Sequence, residues 1–321
     1  MSKLITVFGA TGNQGGSVIQ AILADPALSN EFKIRGITRD ASKPAAQALQ
    51  AKGIEMVSPD NENDVHQASM SDPSTLSAAV QGSHTVFLVT TPAWGAGTPD
   101  AELADGKNVA DACKDAGVQH LVFSSLLHVT KETGGRLEHV PHFDHKAEVE
   151  AYIRASGVPA TFVLPGYFMS NYVALGMLRK GEDGVFTLAY PVGADARFPL
   201  IEIGEDMGKY VVASIKQRTK VLGAQVLAAA DYYTPTRILK EFEEVTGQKT
   251  RFVQVDPQAY KAALPMPEAI AQELLENHLF IGEPGYFAGK DLKGSLDLLA
   301  EVGLKPTSFK EYLEKNKSAF A

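Results

Sequence analysis

The chain has 321 residues, enough for one large domain or two coupled ones, and its 45% hydrophobic content supplies the core of an ordinary globular protein. A net charge of −8 argues against direct nucleic-acid binding through a basic face, and no run of 18 apolar residues exists to cross a membrane. Cys113 is the sole cysteine, which excludes an intrachain disulfide and points to a reducing compartment.

The first apolar run starts within a few residues of the N-terminus, so no signal peptide is expected. The expected compartment is the cytoplasm, with nuclear entry as the alternative. Leu4-Ile5-Thr6-Val7-Phe8 reads as a buried strand. Gly9, Gly12 and Gly15 follow, and from Ser17 to Leu23 the apolar residues Val18, Ile19, Ile22 and Leu23 share one face of a helix. Strand, glycine-rich turn and helix are the context that a dinucleotide fingerprint requires. The spacing is G-x-x-G-x-x-G rather than G-x-G-x-x-G, but the physics is the same. One glycine turns the chain, one admits a pyrophosphate to the backbone, and one lets helix pack on strand. The phosphates then meet the free N–H groups and positive dipole end of the helix. Glycines that serve turn geometry alone are the alternative.

Residues 33–39 read as the second strand, whose carboxyl end meets the adenosine ribose in a dinucleotide fold. An NAD-specific site wants Asp or Glu there. This strand ends in Thr38-Arg39, with Lys43 four residues on. Cations suit a 2′-phosphate, so NADP(H) is the expected cofactor and NAD(H) the weaker one. Asp40 complicates this, because it could accept from a ribose hydroxyl; solvated surface charges are the other reading of Arg39 and Lys43.

Residues 44–52 read as a helix stopped by Gly53. The third strand is either 54–57 or 65–68. The second is preferred, because Ser71-Asp72-Pro73 then caps a helix over 74–80 and residues 58–64 become an insertion. Residues 85–89 form a buried strand ending in Thr90-Thr91-Pro92, small groups that would line the cofactor crevice. Trp94-Gly95-Ala96-Gly97 is a loop, either a lid or an ordinary connection. A helix over 101–116 carries Cys113 as a packing residue. Residues 119–125 are the fifth strand, a long helix runs from Phe143, and 160–164 are the sixth strand.

This alternation predicts an α/β protein, a Rossmann-type doubly wound parallel sheet. Beyond Asn171 it weakens into a hairpin-like region over 181–193, helices over 204–216 and 234–246, strands over 226–228 and 251–255, and helices to the end. The expected division is an NAD(P)-binding Rossmann domain over 1–166. A smaller C-terminal α+β domain over 167–321, interleaved with the sheet edge, would wall a pocket.

Short-chain dehydrogenases share this opening and use a Tyr-x-x-x-Lys pair after the fifth strand, the tyrosine delivering a proton. Here the matching residues are His142 and Lys146. Lys146 and His142 are the catalytic candidates, either one steadying a developing oxyanion and the histidine able to act as an acid near neutral pH; the alternative is that the proton donor is lost and Lys146 only binds ribose. The histidines at 128, 139, 142 and 145 come with no H-E-x-x-H and no paired cysteines, so no metal is expected. No G-x-S-x-G elbow marks a hydrolase.

Together, GATGNQGGSV at the N-terminus, ITR at the second strand's end, HFDHKAEVEAYIRASGVPATFVLPGYFMSN and the later GED-GKYV segment resemble the NmrA-like family, atypical short-chain dehydrogenase-fold proteins. The resemblance runs over most of the chain and is strongest over 1–40 and 120–175. It implies that Gly9, Thr11, Gly12, Asn13, Gln14 and Gly15 hold a pyrophosphate and that Arg39 and Lys43 hold the 2′-phosphate. Thr90, with Thr91 beside it, Lys146, Pro165 and Phe168 would surround the ribose and nicotinamide. The chain departs from the family at the third strand's end, where Ala68-Ser69 stands for Gly-Asp, and that weakens an adenine contact there. The family includes regulators that sense the nicotinamide pool and bind partner proteins such as transcription factors, and reductases of quinones and phenylpropanoids. The missing tyrosine favours an NADP(H)-sensing regulator, a monomer or homodimer, over an NADPH-dependent reductase of a small carbonyl or quinone.

Overall fold

The computed structural model describes residues 2–58, 68–92, 98 and 100–320. In chain order, β1 (Lys3–Phe8), α1 (Asn13–Ala24), the short α2 (Pro26–Glu31) and β2 (Phe32–Ile37) lead to α3 (Pro44–Gln50), β3 (Glu55–Val57) and α4 (Pro73–Val80). Then come β4 (Thr85–Leu88), α5 (Ala101–Asp115), β5 (His120–Ser124), the one-turn α6 (Val129–Glu132), α7 (Pro141–Ser156) and β6 (Ala160–Pro165). After these come β7 (Tyr167–Phe168), α8 (Asn171–Ala174), β8 (Leu178–Lys180), β9 (Phe186–Tyr190), β10 (Phe198–Ile201), α9 (Ile203–Lys216), α10 (Arg218–Val221) and β11 (Gln225–Ala228). The chain closes with β12 (Asp231–Tyr233), α11 (Pro235–Thr246), β13 (Thr250–Gln254), α12 (Pro257–Ala262), α13 (Glu268–Gly282), α14 (Lys293–Ala300), α15 (Phe309–Lys315) and a 3₁₀ turn over Lys317–Phe320.

Seven strands form one parallel sheet in the order β11-β6-β5-β4-β1-β2-β3. Every residue of β4, β5 and β6 is buried, as helices on both faces of a parallel sheet require. The strand order reverses between β1 and β4. A doubly wound sheet opens a crevice at that point, outside the carboxyl ends of the strands. The protein therefore has the Rossmann-type fold expected from the alternation.

The third strand is a correction. The strand that pairs with β2, at Arg35–Ile37, is Glu55–Val57, the alternative not preferred from the sequence; 65–67 lie outside the described residues. Ala68 leads instead into a tight bend in which Ser69 bridges Asp72; residues 59–67 lie outside the described residues, as do 94–97 of the glycine-flanked loop. Asp72 still caps α4, accepting the Ser74 N–H at 3.0 Å. The cap signal identifies the helix but says nothing of the strand before it. Packing holds the three-residue β3: the Met56 sulfur lies 2.7 Å from where a Cβ on Gly36 would stand. Two helices also begin earlier than the apolar pattern suggests, α1 at Asn13 rather than Ser17 and α7 at Pro141 rather than Phe143. Proline at the first helical position suits α7, since that N–H has no intrahelical partner anyway.

The C-terminal half builds two small sheets, β12-β10-β7 and β13-β9-β8. The hairpin expected over 181–193 is displaced toward the N-terminus: it is the antiparallel pair β8–β9, whose first strand ends at Lys180. Between these pieces the chain returns to the main sheet, where β11 pairs with β6 and α9 packs against α1. That packing is close. A Cβ on Gly208 would lie 2.2 Å from the Ser17 carbonyl oxygen, and the Gly208 N–H donates to the Ser17 hydroxyl at 2.9 Å. Among the described residues no helix is long and apolar enough to cross a membrane.

Candidate functional site

The turn after β1 sets the site. Gly9 sits at φ +67°, in the left-handed region, and its carbonyl accepts the Gly12 N–H at 2.9 Å. A Cβ on Gly15 would stand 2.2 Å from that same carbonyl oxygen, so glycine is needed for α1 to begin this close to the strand. Gly12 is the N-cap of α1 and brings no side-chain cap, which leaves the first-turn N–H groups open to an anion.

These amides face a cleft of about 510 Å³. Gly9, Thr11, Gly12, Asn13, Gln14 and Gly15 form its floor, with Arg39, Thr91 and Phe168 among its walls. Thr11 and Thr38 bond through their hydroxyls at 3.0 Å and tie the turn to the end of β2. Arg39 is exposed and makes no ion pair among the described residues. Asp40 is engaged elsewhere: its Oδ1 accepts the Ser42 N–H at 2.8 Å and the Ser42 hydroxyl at 2.6 Å. Lys43 does not line this cleft; it is the exposed N-cap of α3.

Gln14 and Phe168 also line a second cavity of about 300 Å³, so the two adjoin there. The Ser124 hydroxyl donates to Gln14 Oε1 at 2.7 Å and holds it at this junction. Thr90, Lys146, His142 and Pro165 line the second cavity with Phe143, Leu126 and Met177. The structure thus gathers every candidate except Lys43 around two adjoining cavities.

Lys146 is buried, and its ammonium is spent inside the protein. It donates to the Thr90 carbonyl at 3.0 Å, to the Thr90 hydroxyl at 2.8 Å, and to Glu102. An ammonium has three protons, and all three are taken. Burial drives the Lys146 pKa down, and the Glu102 carboxylate opposes that shift. Glu102 was not singled out from the sequence. The signal was there: it shares the buried stripe of α5 with Gly106, Val109 and Cys113, and a charge on such a stripe needs a partner. Cys113 is buried on that stripe and burial pushes its thiol pKa upward, which makes it a packing residue.

His142 opens α7 and is held from across the cavity. Glu273 of α13 accepts from both the His142 ring Nδ1 and its backbone N–H. One turn on, Glu276 does the same for His139, from its ring at 2.6 Å and its N–H at 2.7 Å. Val140, the N-cap of α7, offers no side-chain cap, so Glu273 takes the first-turn N–H of His142 from another helix, while Glu276 holds the residue just before the cap. His278, which also lines the second cavity, donates from Nδ1 to the Leu274 carbonyl at 2.8 Å and is packed among tyrosine rings. Burial pulls its pKa down to about 4, so it is neutral at pH 7. Among the described residues no cluster of His, Cys, Asp and Glu is arranged to hold a metal ion.

Known proteins agree with this architecture. The oxidoreductase ptmS of Penicillium ochrochloron is 32% identical over 269 residues, covering 79% of this chain and 76% of its own. The oxidoreductase malD of Malbranchea aurantiaca is likewise 32% identical over 268 residues, with the same coverage. The fold matches the crystal structure of NmrA, a negative transcriptional regulator, at TM-score 0.80 and 23% identity, covering 98% of this chain and 95% of that one. It also matches an NADPH-dependent quinone oxidoreductase of Escherichia coli at TM-score 0.75 and 24% identity, covering 97% and 99%. The model of the NmrA-like family matches residues 1–313, and the chain belongs to that family.

Proposed function

We propose that the protein is an NADPH-dependent reductase of a small, neutral carbonyl or quinone compound. One observation carries the reading: beside the dinucleotide-sized cleft, sharing Gln14 and Phe168 with it, lies a mostly apolar cavity lined by His142. A protein that only reports cofactor occupancy has no use for that cavity.

The residues fit the cofactor. The Gly9–Gly15 turn is a cradle that a Cβ would fill, α1 presents unsatisfied amides to the pyrophosphate, and Arg39 stands ready for the 2′-phosphate. NAD(H) lacks that phosphate and is expected to bind more weakly. When bound, the nicotinamide supplies a hydride. Reducing a carbonyl places that hydride on carbon and a proton on oxygen. Lys146 has no free proton to offer in this arrangement; it holds Thr90 and the end of β4 in place. His142, its ring fixed by Glu273, is the proton donor in the cavity. The bulk of the lining is apolar and excludes water from the reacting oxygen. The cytoplasm is the compartment that suits a chain with one free, buried cysteine.

The test is calorimetric titration with NADP, NADPH, NAD and NADH, on the wild type and on Arg39→Ala, followed by NADPH oxidation across a panel of quinones and ketones. Arg39→Ala is expected to weaken NADP(H) binding at least about tenfold and NAD(H) little. His142→Ala is expected to slow turnover roughly 10²-fold with cofactor binding intact. Wild-type turnover in that variant would remove His142 as the donor. The regulator reading stands second, on the replaced tyrosine and on the internal satisfaction of Lys146. Cofactor binding with no turnover on any substrate, and a protein partner whose affinity differs between saturating NADP and NADPH, would put it first.

A further inference from the structure

The cleft carries one acidic side chain that the reading above leaves unused. Asp105 lies on α5 and lines the cleft beside Met70 and Thr91. It is half-buried, and among the described residues it makes no hydrogen bond and no ion pair. Burial first, and then repulsion from Glu102 three residues earlier, raise its pKa. A carboxylate is costly to withdraw from water without a donor, and here the neighbouring charge makes the position worse. A donor arriving with the ligand would relieve both costs.

The place in the fold says which part of the ligand arrives there. The amides at the start of α1 fix the pyrophosphate above the sheet's switch point, so one half of a dinucleotide lies over β1-β2-β3 and the other over β4-β5-β6. Phe168 and the apolar cavity take the nicotinamide half. Arg39, at the end of β2, takes the adenosine ribose phosphate. Beyond the ribose only the base is left, and the wall there is the Ala68–Ser71 bend together with Asp105. The two are one unit, since Asn108 of α5 donates to the Met70 carbonyl at 2.9 Å. The bend offers apolar surface from Ala68 and Met70, while its Ser69 and Ser71 hydroxyls bond each other at 2.9 Å. The acceptor on this wall comes from the helix.

Resting on the NADP(H) reading, we propose that Asp105 accepts a hydrogen bond from the exocyclic amino group of the cofactor's adenine, and that it makes the site selective for 6-aminopurine over 6-oxopurine dinucleotides. A 6-oxo group would set an oxygen against a carboxylate oxygen, with no proton between them.

The test compares binding of NADP and of nicotinamide hypoxanthine dinucleotide phosphate by calorimetry, in the wild type, Asp105→Asn and Asp105→Ala, with melting temperatures to check that each variant is folded. The wild type is expected to bind NADP about tenfold or more tighter than the 6-oxo analogue. Asp105→Asn, whose amide can donate to the 6-oxo group, is expected to bring the ratio to within about threefold or reverse it, and Asp105→Ala to flatten it. A wild type indifferent to the change, or an Asp105→Asn variant that keeps the wild-type ratio, would overturn the proposal. If the wild type bound neither compound, the cofactor reading itself would fall and take this proposal with it.

Discussion

His278 shows what burial does to a single imidazole and what that costs with pH. In the folded protein its pKa is held near 4, against 6.5 for a free histidine. Below pH 6.5 the unfolded chain gains a proton that the folded chain refuses, so stability falls as pH falls. The slope is roughly 1.4 kcal/mol per pH unit below 6, to a limit of about 3 kcal/mol. His278→Phe keeps the ring among Tyr190, Tyr260 and Tyr167 but has nothing to titrate. Between pH 7 and pH 5 the wild type should lose about 2 kcal/mol more than this variant in urea unfolding; parallel losses would show that His278 is not the titrating group. Gly15 is the other residue whose role reduces to one contact. Gly15→Ala puts a methyl group 2.2 Å from the Gly9 carbonyl oxygen, so the turn must open. Dinucleotide binding should fall at least about tenfold, read by the same calorimetry, while the sheet behind the turn keeps its far-ultraviolet circular dichroism.

At the scale of elements, the join between α13 and α7 is made by carboxylates acting at a distance in sequence. Glu276 is buried, which works to raise its pKa, but the His139 amide, Gln272 and the His139 ring outweigh burial and hold it below the ordinary value. That stabilisation is present above pH 4.5 and is lost as the carboxylate protonates. Glu276→Ala leaves the His139 N–H without its acceptor and should cost about 1–2 kcal/mol. Hydrogen exchange should speed up in the first turn of α7 and stay unchanged in β1; protection intact in that turn would mean that water replaces the carboxylate at no cost. None of this was legible in the sequence, because nothing local ties residue 273 to residue 142 or 276 to 139. What was legible is what repeats with a short period or sits beside its own punctuation. The strands β1, β4, β5 and β6 announce themselves as apolar runs, and Asp72 and Thr234 cap the helices they precede, Thr234 accepting the Arg237 N–H at 3.2 Å. The three-residue β3 is too short to show a period, and its neighbours decide it. Lys146 was found at the right place, but its engagement with Thr90 and Glu102 belongs to three elements at once and appears only when they are packed.

The whole molecule is held together by a return of the chain. Residues 203–228 supply α9 and β11 to a sheet whose other strands all lie before residue 166. α9 buries Met207, Tyr210, Val211 and Val212, and the facing helix α1 buries Val18, Ile19 and Ile22. A chain ending at residue 166 would uncover the α1 surface at Ser17 and Ala21 that meets Gly208 of α9, and open the β6 edge to solvent. It would also lose the buried Met207, Tyr210, Val211 and Val212 of α9, and at about 1.5–3 kcal/mol for each large side chain that loss is of the order of the net stability of a domain. The unpaired β6 edge would add a site for aggregation. The fragment 1–166 is therefore expected to be insoluble or unfolded, whereas the full chain should unfold in one cooperative transition that the two halves share. Gly208→Val tests the same joint without truncation. Its side chain would meet the Ser17 backbone, which cannot step aside as a flexible side chain would, and the expected cost is about 1–3 kcal/mol or more. If the variant lowers the melting of both halves together, followed by probes in β1 and in α11, the α1–α9 contact couples them. If only the C-terminal probe moves, the Rossmann sheet stands on its own, and the division at residue 166 is a boundary in energy as well as in sequence.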